Sequence, residues 1–287
     1  MAKISAKSEN PHYFASTHHT YSISNSVALR IHSDTKPQNL KIANLQKGII
    51  LLYNGVEVAG EGTGFGVPIG KYSDETFFSG SSVLQIHNKE NSFIIRKEFS
   101  MDLIARDTFR NLKLENKKLR RIIDFISSFY QRHKRLARFI LLVKELLFKC
   151  GVEPIFSKVD SKGRVIVTYT LNRNRILVKL SFNELDRNNL QKVFVLNEQG
   201  AHFFEKYSDS EGLKLSDEEI GAWDNVTAQS AKITDKQDKI GFSLKNVEGT
   251  MLRRGRELSK NSLDWIGLDY ELNPSDDQFE YEIEIFG

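Results

Sequence analysis

The segment Phe279–Phe286 alternates without a fault: Phe279, Tyr281, Ile283 and Ile285 take one side, Glu280, Glu282 and Glu284 the other. A period of two is the geometry of a β-strand, whose successive side chains point to opposite faces of a sheet. An apolar face this regular has to lie on a core, so the strand is expected deep in a sheet that is dry on one side and wet on the other. The same alternation recurs along most of the chain. It marks strands at Val27–His32, at 48–53 and 56–58 around the turn pair Asn54-Gly55, and at Thr76–His87 and Ser92–Ala105. Further on it marks Val165–Leu171, Arg175–Phe182, Gln191–Leu196, Ala201–Tyr207, Val226–Ile233, Ile240–Leu244, Thr250–Leu258 and Trp265–Leu272. No internal repeat and no low-complexity linker divides these segments. Short turns between many antiparallel strands predict a mainly β chain, a large antiparallel β-sandwich forming one domain over residues 1–287.

One stretch breaks the pattern. Residues 115–150 contain neither Gly nor Pro, and Leu119, Ile122, Ile126, Phe129, His133, Leu136, Ile140, Val143, Leu147 and Cys150 recur at spacings of three and four. That is the seam of a long amphipathic helix, expected as an insertion within the sandwich. Its balance of ten Lys/Arg against three acids is +7, so the rest of a chain of net charge +4 is −3. Three readings of such an insertion stay open. Its seam covers the sheet, or pairs with the same helix of a second copy, or lies on an anionic membrane surface that its basic residues would hold. Nucleic acid is not expected as a partner, because the remainder is acidic and no binding module is recognisable.

A single cysteine, Cys150, excludes an internal disulfide, and the first residues, MAKISAKSENPHYF, lack an apolar leader core. The expectation is a cytoplasmic protein, peripheral at the membrane if the helix lies on lipid.

Four groups of residues could carry chemistry. The glycine cluster Gly60–Gly70 invites a phosphate-loop reading, but neither a P-loop nor a strand–GxGxxG–helix unit is present. Its plainer reading is a bulge or a tight crossing where only glycine fits. Glu198 and His202, four residues apart at a strand end, are the one acid/base pair with catalytic potential; the plainer reading is a polar hairpin turn. Arg254 and Arg256 share a face if their strand alternates and could fork onto an anionic group, as could Arg96 on another strand. Trp223 and Trp265 with Tyr72 and Tyr207 are the rings that would stack on a sugar, unless they belong to the core. The acids Asp209, Glu211, Asp217, Glu218 and Glu219 fail the EF-hand spacing, and no zinc spacing exists, so no metal or other cofactor is expected.

The combination EGTGFGVPIGKYSDETFFSGSS, NEQGAHFFEKYSDSEG, IGAWDNV and RRGREL resembles an uncharacterised family of archaeal proteins over most of the chain. That resemblance implies no site. The strand pattern is also similar to the galactose-mutarotase and polysaccharide-lyase type of β-sandwich, whose members commonly bind or modify carbohydrates. This second likeness implies a sugar ligand on a concave sheet face. The His/Glu motifs of the mutarotases have no counterpart here, so no catalytic residue is carried over.

Overall fold

The computed structural model describes residues 18–32, 34–35, 48–60, 62–72, 75–77, 81–89, 92–101, 105–109, 154–157, 162–259 and 263–287. The first strands are β1 (His18–Ser22), β2 (Val27–His32), β3 (Asp34–Thr35), β4 (Ile49–Tyr53), β5 (Val56–Glu57), β6 (Gly64–Tyr72), β7 (Glu75–Phe77), β8 (Ser81–Lys89), β9 (Ser92–Ser100) and β10 (Ala105–Phe109). There follow β11 (Pro154–Ser157), β12 (Gly163–Asn172), β13 (Arg175–Leu185), β14 (Leu190–Gln199), β15 (Phe204–Asp209) and β16 (Lys214–Ser216). The last are β17 (Asp224–Asn225), β18 (Ser230–Asp235), β19 (Gly241–Lys245), β20 (Met251–Ser259), β21 (Leu263–Leu272) and β22 (Gln278–Phe286).

They form two ten-stranded antiparallel sheets. The first runs β1-β2-β4-β6-β14-β21-β20-β17, with β5 added to β4 and β7 to β6. The second runs β16-β15-β18-β19-β22-β13-β12-β9-β8-β3, and β10 pairs with β11 separately. As the alternation demands, β22 is interior to its sheet, between β19 and β13, and its Phe279, Tyr281, Ile283 and Ile285 are buried. The turn at Asn54-Gly55 has φ of 50° and 80°, the positive values that a two-residue hairpin turn requires and that Asn-Gly supplies at low cost.

The sheets pack face to face through aromatic contacts. Phe65 of the first meets Phe242 of the second with ring centroids 5.0 Å apart, and Tyr270 sits 4.9 Å from Phe279 and 4.8 Å from Tyr281. Polar ties are embedded among them. Tyr281 donates its hydroxyl to Asn197 Oδ1 at 2.7 Å, and the same oxygen accepts from the Gly66 N–H at 3.1 Å. Tyr169 crosses between the sheets to the Phe65 and Gly66 carbonyls at 3.0 and 3.2 Å. Each of these buried groups is satisfied, which is what makes polar atoms tolerable in an apolar layer.

The glycine cluster is therefore part of the scaffold. Gly66 has a φ of +76° beside the bulge that shifts β14 against β6 between Leu196 and Asn197. A Cβ there would lie 2.7 Å from the Tyr169 ring, so only glycine admits that ring.

The expected strand 76–87 is shared between the sheets, Glu75–Phe77 pairing with β6 and Ser81–Lys89 with β9, and the strand expected over 92–105 ends at Ser100. The expected strand Val226–Ile233 is also divided, for a topological reason. Asp224–Asn225 belongs to the first sheet and Ser230–Asp235 to the second, so the chain changes sheets between them. The bend is pinned by Asn246, whose side chain donates to the Val226 carbonyl at 3.1 Å. Buried Val226 and Ala228 keep the alternation through the crossing, so periodicity alone does not reveal it. The 115–150 segment lies outside the described residues, as do 1–17. Among the described residues the one helical element is a 3₁₀ turn, Asp217–Ile220, and no helix is long and apolar enough to cross a membrane.

Candidate functional site

At one end of the first sheet, β20 runs next to the short β17, which pairs only with Arg253 and Arg254. Arg254 and Arg256 share a face, as alternation predicts, but neither presents an open fork. The Arg254 Nε donates to the Ile220 carbonyl at 3.1 Å, its Nη2 lies 3.5 Å from Asp224 Oδ2, and its guanidinium sits 4.8 Å over the Tyr207 ring. Arg256 reaches the Ala201 carbonyl at 2.9 Å and Asp217 Oδ1 at 3.2 Å. Both arginines thus pin the acid-rich segment against β20. Glu219 Oε2 closes the 3₁₀ turn from within by accepting from the backbone and hydroxyl of Ser216. Tyr207 is buried and donates to Asp209 Oδ2 at 2.9 Å; burial first, then that bond, pushes its hydroxyl up to about 12. Asp209 also accepts from the Glu211 and Leu213 N–H groups, which accounts for an acid in this loop without a metal. Among the described residues no cluster of three metal-ligating side chains exists.

On the other side of β20 lies an aromatic pair. Trp223 stacks on Trp265 with ring centroids 4.7 Å apart and planes 11° from parallel, and both residues are partly exposed. Gly255 makes room for them, since a Cβ would come within 2.9 Å of the Trp265 ring and 3.1 Å of the Trp223 backbone nitrogen. Trp223 has a φ of 64°, left-handed backbone that a bulky side chain rarely adopts. Such a residue costs about 1–3 kcal/mol and persists only where its surroundings hold it. Here the Arg254–Asp224 contact and the Arg256 N–H, which donates to the Gly221 carbonyl at 2.9 Å, hold both sides of it.

Glu198 and His202 do not form the expected acid/base pair. His202 lies in the turn before β15, half exposed, where Asp264 Oδ2 meets its Nδ1 at 2.5 Å and Asp264 Oδ1 accepts its N–H at 2.8 Å. Glu198 sits within β14, opposite Gly64 on one side and Gly267 on the other, and is buried. Its Oε2 accepts from the N–H and the hydroxyl of Thr63 at 3.2 and 3.1 Å. Its neighbour is a second carboxylate. A Cβ on Gly267 would touch both Glu198 and Asp269, and Asp269 is 1% exposed. Burial, and then the charge of Glu198, push the Asp269 carboxyl well above its usual range, against the pull of the Asn197 N–H and Arg253. No hydrogen bond or ion pair joins Glu198 to His202 because the chain turns between them and hands His202 to β21.

The two remaining candidates lie elsewhere. Tyr72 ends β6, buried, with its hydroxyl donated to the Asp186 carbonyl at 2.6 Å and Lys162 over its ring. Arg96 is exposed on β9 in the second sheet, opposite Thr168, which in turn faces Lys179. These three border a shallow depression of about 370 Å³, together with Ile166, Ser181, Asn183 and Glu184. The structure therefore brings Tyr207, Trp223, Arg254, Arg256 and His202 to one end of the sandwich, and leaves Tyr72 and Arg96 apart from it.

Asp264 and Asp269 are absent from the sequence reading. Both sit in β21, where each reads as one polar position among apolar neighbours. Their partners, His202 and Glu198, are more than sixty residues away, so no local signal links them.

No protein-family model matches the chain, and no curated protein matches it. Among solved structures, a crystal structure of HI1317 aligns over 100% of this chain and 99% of its own at 6% identity, with a TM-score of 0.39. The Slr1438 protein from Synechocystis sp. PCC 6803 aligns over the same shares at 10% identity, also with a TM-score of 0.39. Likeness at that level leaves the function to be argued from the chain itself.

Proposed function

We propose that the protein is a carbohydrate-binding β-sandwich whose ligand rests on the Trp223–Trp265 pair. The observation that carries this is a partly exposed indole stack on a backbone held in a costly conformation, with Glu257 the cross-strand partner of Trp265. A flat ring matches the C–H face of a pyranose, while carboxylates accept from its hydroxyls. A rigid aromatic is placed at such expense where the platform itself is used. The reading is one of recognition and not turnover, because Glu198 is enclosed beside Asp269 and His202 is held by Asp264. It moves the ligand from the concave sheet face to the end of the sheet around β20 and β21. The galactose-mutarotase type of sandwich and the helical insertion at 115–150 form part of the same proposal.

Titration of intrinsic tryptophan fluorescence with neutral, amino and acidic oligosaccharides tests it. At least one sugar class should shift the emission saturably, and Trp265→Ala should abolish the shift. A blank across all three classes, with the protein folded by circular dichroism, overturns the proposal.

A further inference from the structure

We infer that the outer face of the second sheet carries an anion site fitted to a phosphomonoester, in the depression between β9, β12 and β13. It is separate from the indole platform and does not rest on the carbohydrate reading. Along β9, Phe93, Ile95 and Phe99 are buried in the core, so Arg96, out of phase with them, points away from it and is exposed. Arg96 lies opposite Thr168 of β12, and Thr168 lies opposite Lys179 of β13. With neighbouring strands about 4.8 Å apart, the two cationic residues stand about 10 Å apart at their backbones, on either side of Thr168. Two long side chains close that gap onto one small group placed over the threonine.

The far rim of the depression is built by a bulge. β12 and β13 lose register between Arg164 and Ile166, and Asn183 and Glu184 of β13 are consecutive yet both exposed. A regular strand would turn one of them inward. The bulge therefore brings an amide to the same depression, beside the Ser181 hydroxyl.

The charges around it are not equally free. Glu184 is the one carboxylate among the described lining residues, and the Arg164 Nε holds it, while Arg164 Nη1 also lies 3.4 Å from Glu98. Lys179 is 3.9 Å from Glu280 with both side chains 53% exposed, a loose pair that solvent screens. Arg96 has no carboxylate partner among the described residues. A guanidinium, an ammonium and neutral donors from Thr168, Ser181 and Asn183 around one depression complement a tetrahedral oxyanion. Two cations also match a phosphomonoester near neutral pH, about −1.5 to −2, better than they match the single charge of a carboxylate. A depression of about 370 Å³ leaves room for the organic part of the ester, and Ile166 gives that part an apolar wall.

Isothermal titration calorimetry of the full chain at pH 7.5 and low salt, with phenyl phosphate, inorganic phosphate and benzoate as probes, tests this. Phenyl phosphate should bind saturably, about fivefold more tightly than benzoate, and should weaken as salt is raised. Arg96→Gln should weaken it roughly tenfold, and Lys179→Gln about threefold, because Glu280 already offsets part of that charge. Lys206→Gln removes the same charge from β15, where its partner is Asp238, and should leave binding unchanged. Should Arg96→Gln be poorly folded by circular dichroism, Lys179→Gln carries the comparison. No saturable heat with phenyl phosphate overturns the inference, as does benzoate or inorganic phosphate binding as tightly. Equal losses from the depression variants and Lys206→Gln also overturn it, since they would show a general attraction of anions to the chain. None of these outcomes bears on the indole platform, so the two readings fail separately.

Discussion

The layer between the sheets and the end of the first sheet treat polar groups in opposite ways. Between the sheets, Asn197, Tyr281, Tyr169 and the Gly66 backbone form a closed set in which the oxygens have donors and the hydroxyls have acceptors. At the sheet end, Trp223 sits in left-handed backbone, Asp217 is exposed, and the stacked rings are partly open. The first arrangement fixes how β6 lies on β14 and how one sheet lies on the other. The second spends stability to hold a surface in shape. Polar residues in a core and polar residues at a rim therefore answer different questions, and only the second kind speaks to a ligand.

Substitution at Gly66 should break the comparison most severely. Gly66→Ala forces a side chain into left-handed backbone and against the Tyr169 ring, which should cost about 3 kcal/mol or more, read as a lowered urea midpoint. A loss under about 1 kcal/mol would mean that this interior is not tightly specified.

Asp269 lies between the two regimes, buried like the interior yet unpartnered at Oδ2. Its carboxyl titrates above its unfolded value, so the folded state is favoured while the group is protonated. Stability is lost as pH rises from the unfolded value, near 3.9, through the raised folded one. Asp269→Asn keeps an acceptor for the Asn197 N–H and removes the charge. Its stability relative to the parent should climb with pH by up to about 1.4 kcal/mol per unit within that window, then level off. Denaturation at a series of pH values checks this, and a difference that does not vary with pH would show that the pair is not strained.

Trp223→Gly should change stability by less than about 1 kcal/mol, because stacking worth about 0.5–1.5 kcal/mol is lost while a comparable backbone cost is relieved. Ligand-dependent fluorescence should vanish all the same. A large destabilisation would move Trp223 into the structural class.

The smallest effect is expected at Glu57, on the first sheet away from the indoles. Burial raises its pKa, but hydrogen bonds and charge from His32 and Arg30 outweigh that and bring it to about 2. The stability it gives is present above its unfolded value and is lost as pH falls toward 2. Glu57→Gln should therefore lessen acid sensitivity, by under about 1 kcal/mol because the pair is partly exposed. Thermal midpoints at pH 3 and pH 7 would show it.

The strands were legible because alternation is local: β2 begins and ends where the pattern places it, and β22 is as deep as its apolar face requires. The plainer reading of the glycine cluster was legible too, as a bulge beside β14. The site was legible only as residue types. Arg254 and Arg256 were placed on one face correctly, yet their partners Asp224 and Asp217 lie about thirty or more residues away and come to them over the sheet change after β17. Glu198 and His202 are near in sequence but part at the turn before β15, each to a different neighbour on β21.

By itself the sequence determined which segments are strands and which side of each is dry, because a two-residue period is set by the backbone and by the aversion of apolar side chains to water. The tertiary structure alone decided which charges cancel and which rings stack. Those depend on strands far apart in the chain being brought side by side in register, and no local pattern encodes that register.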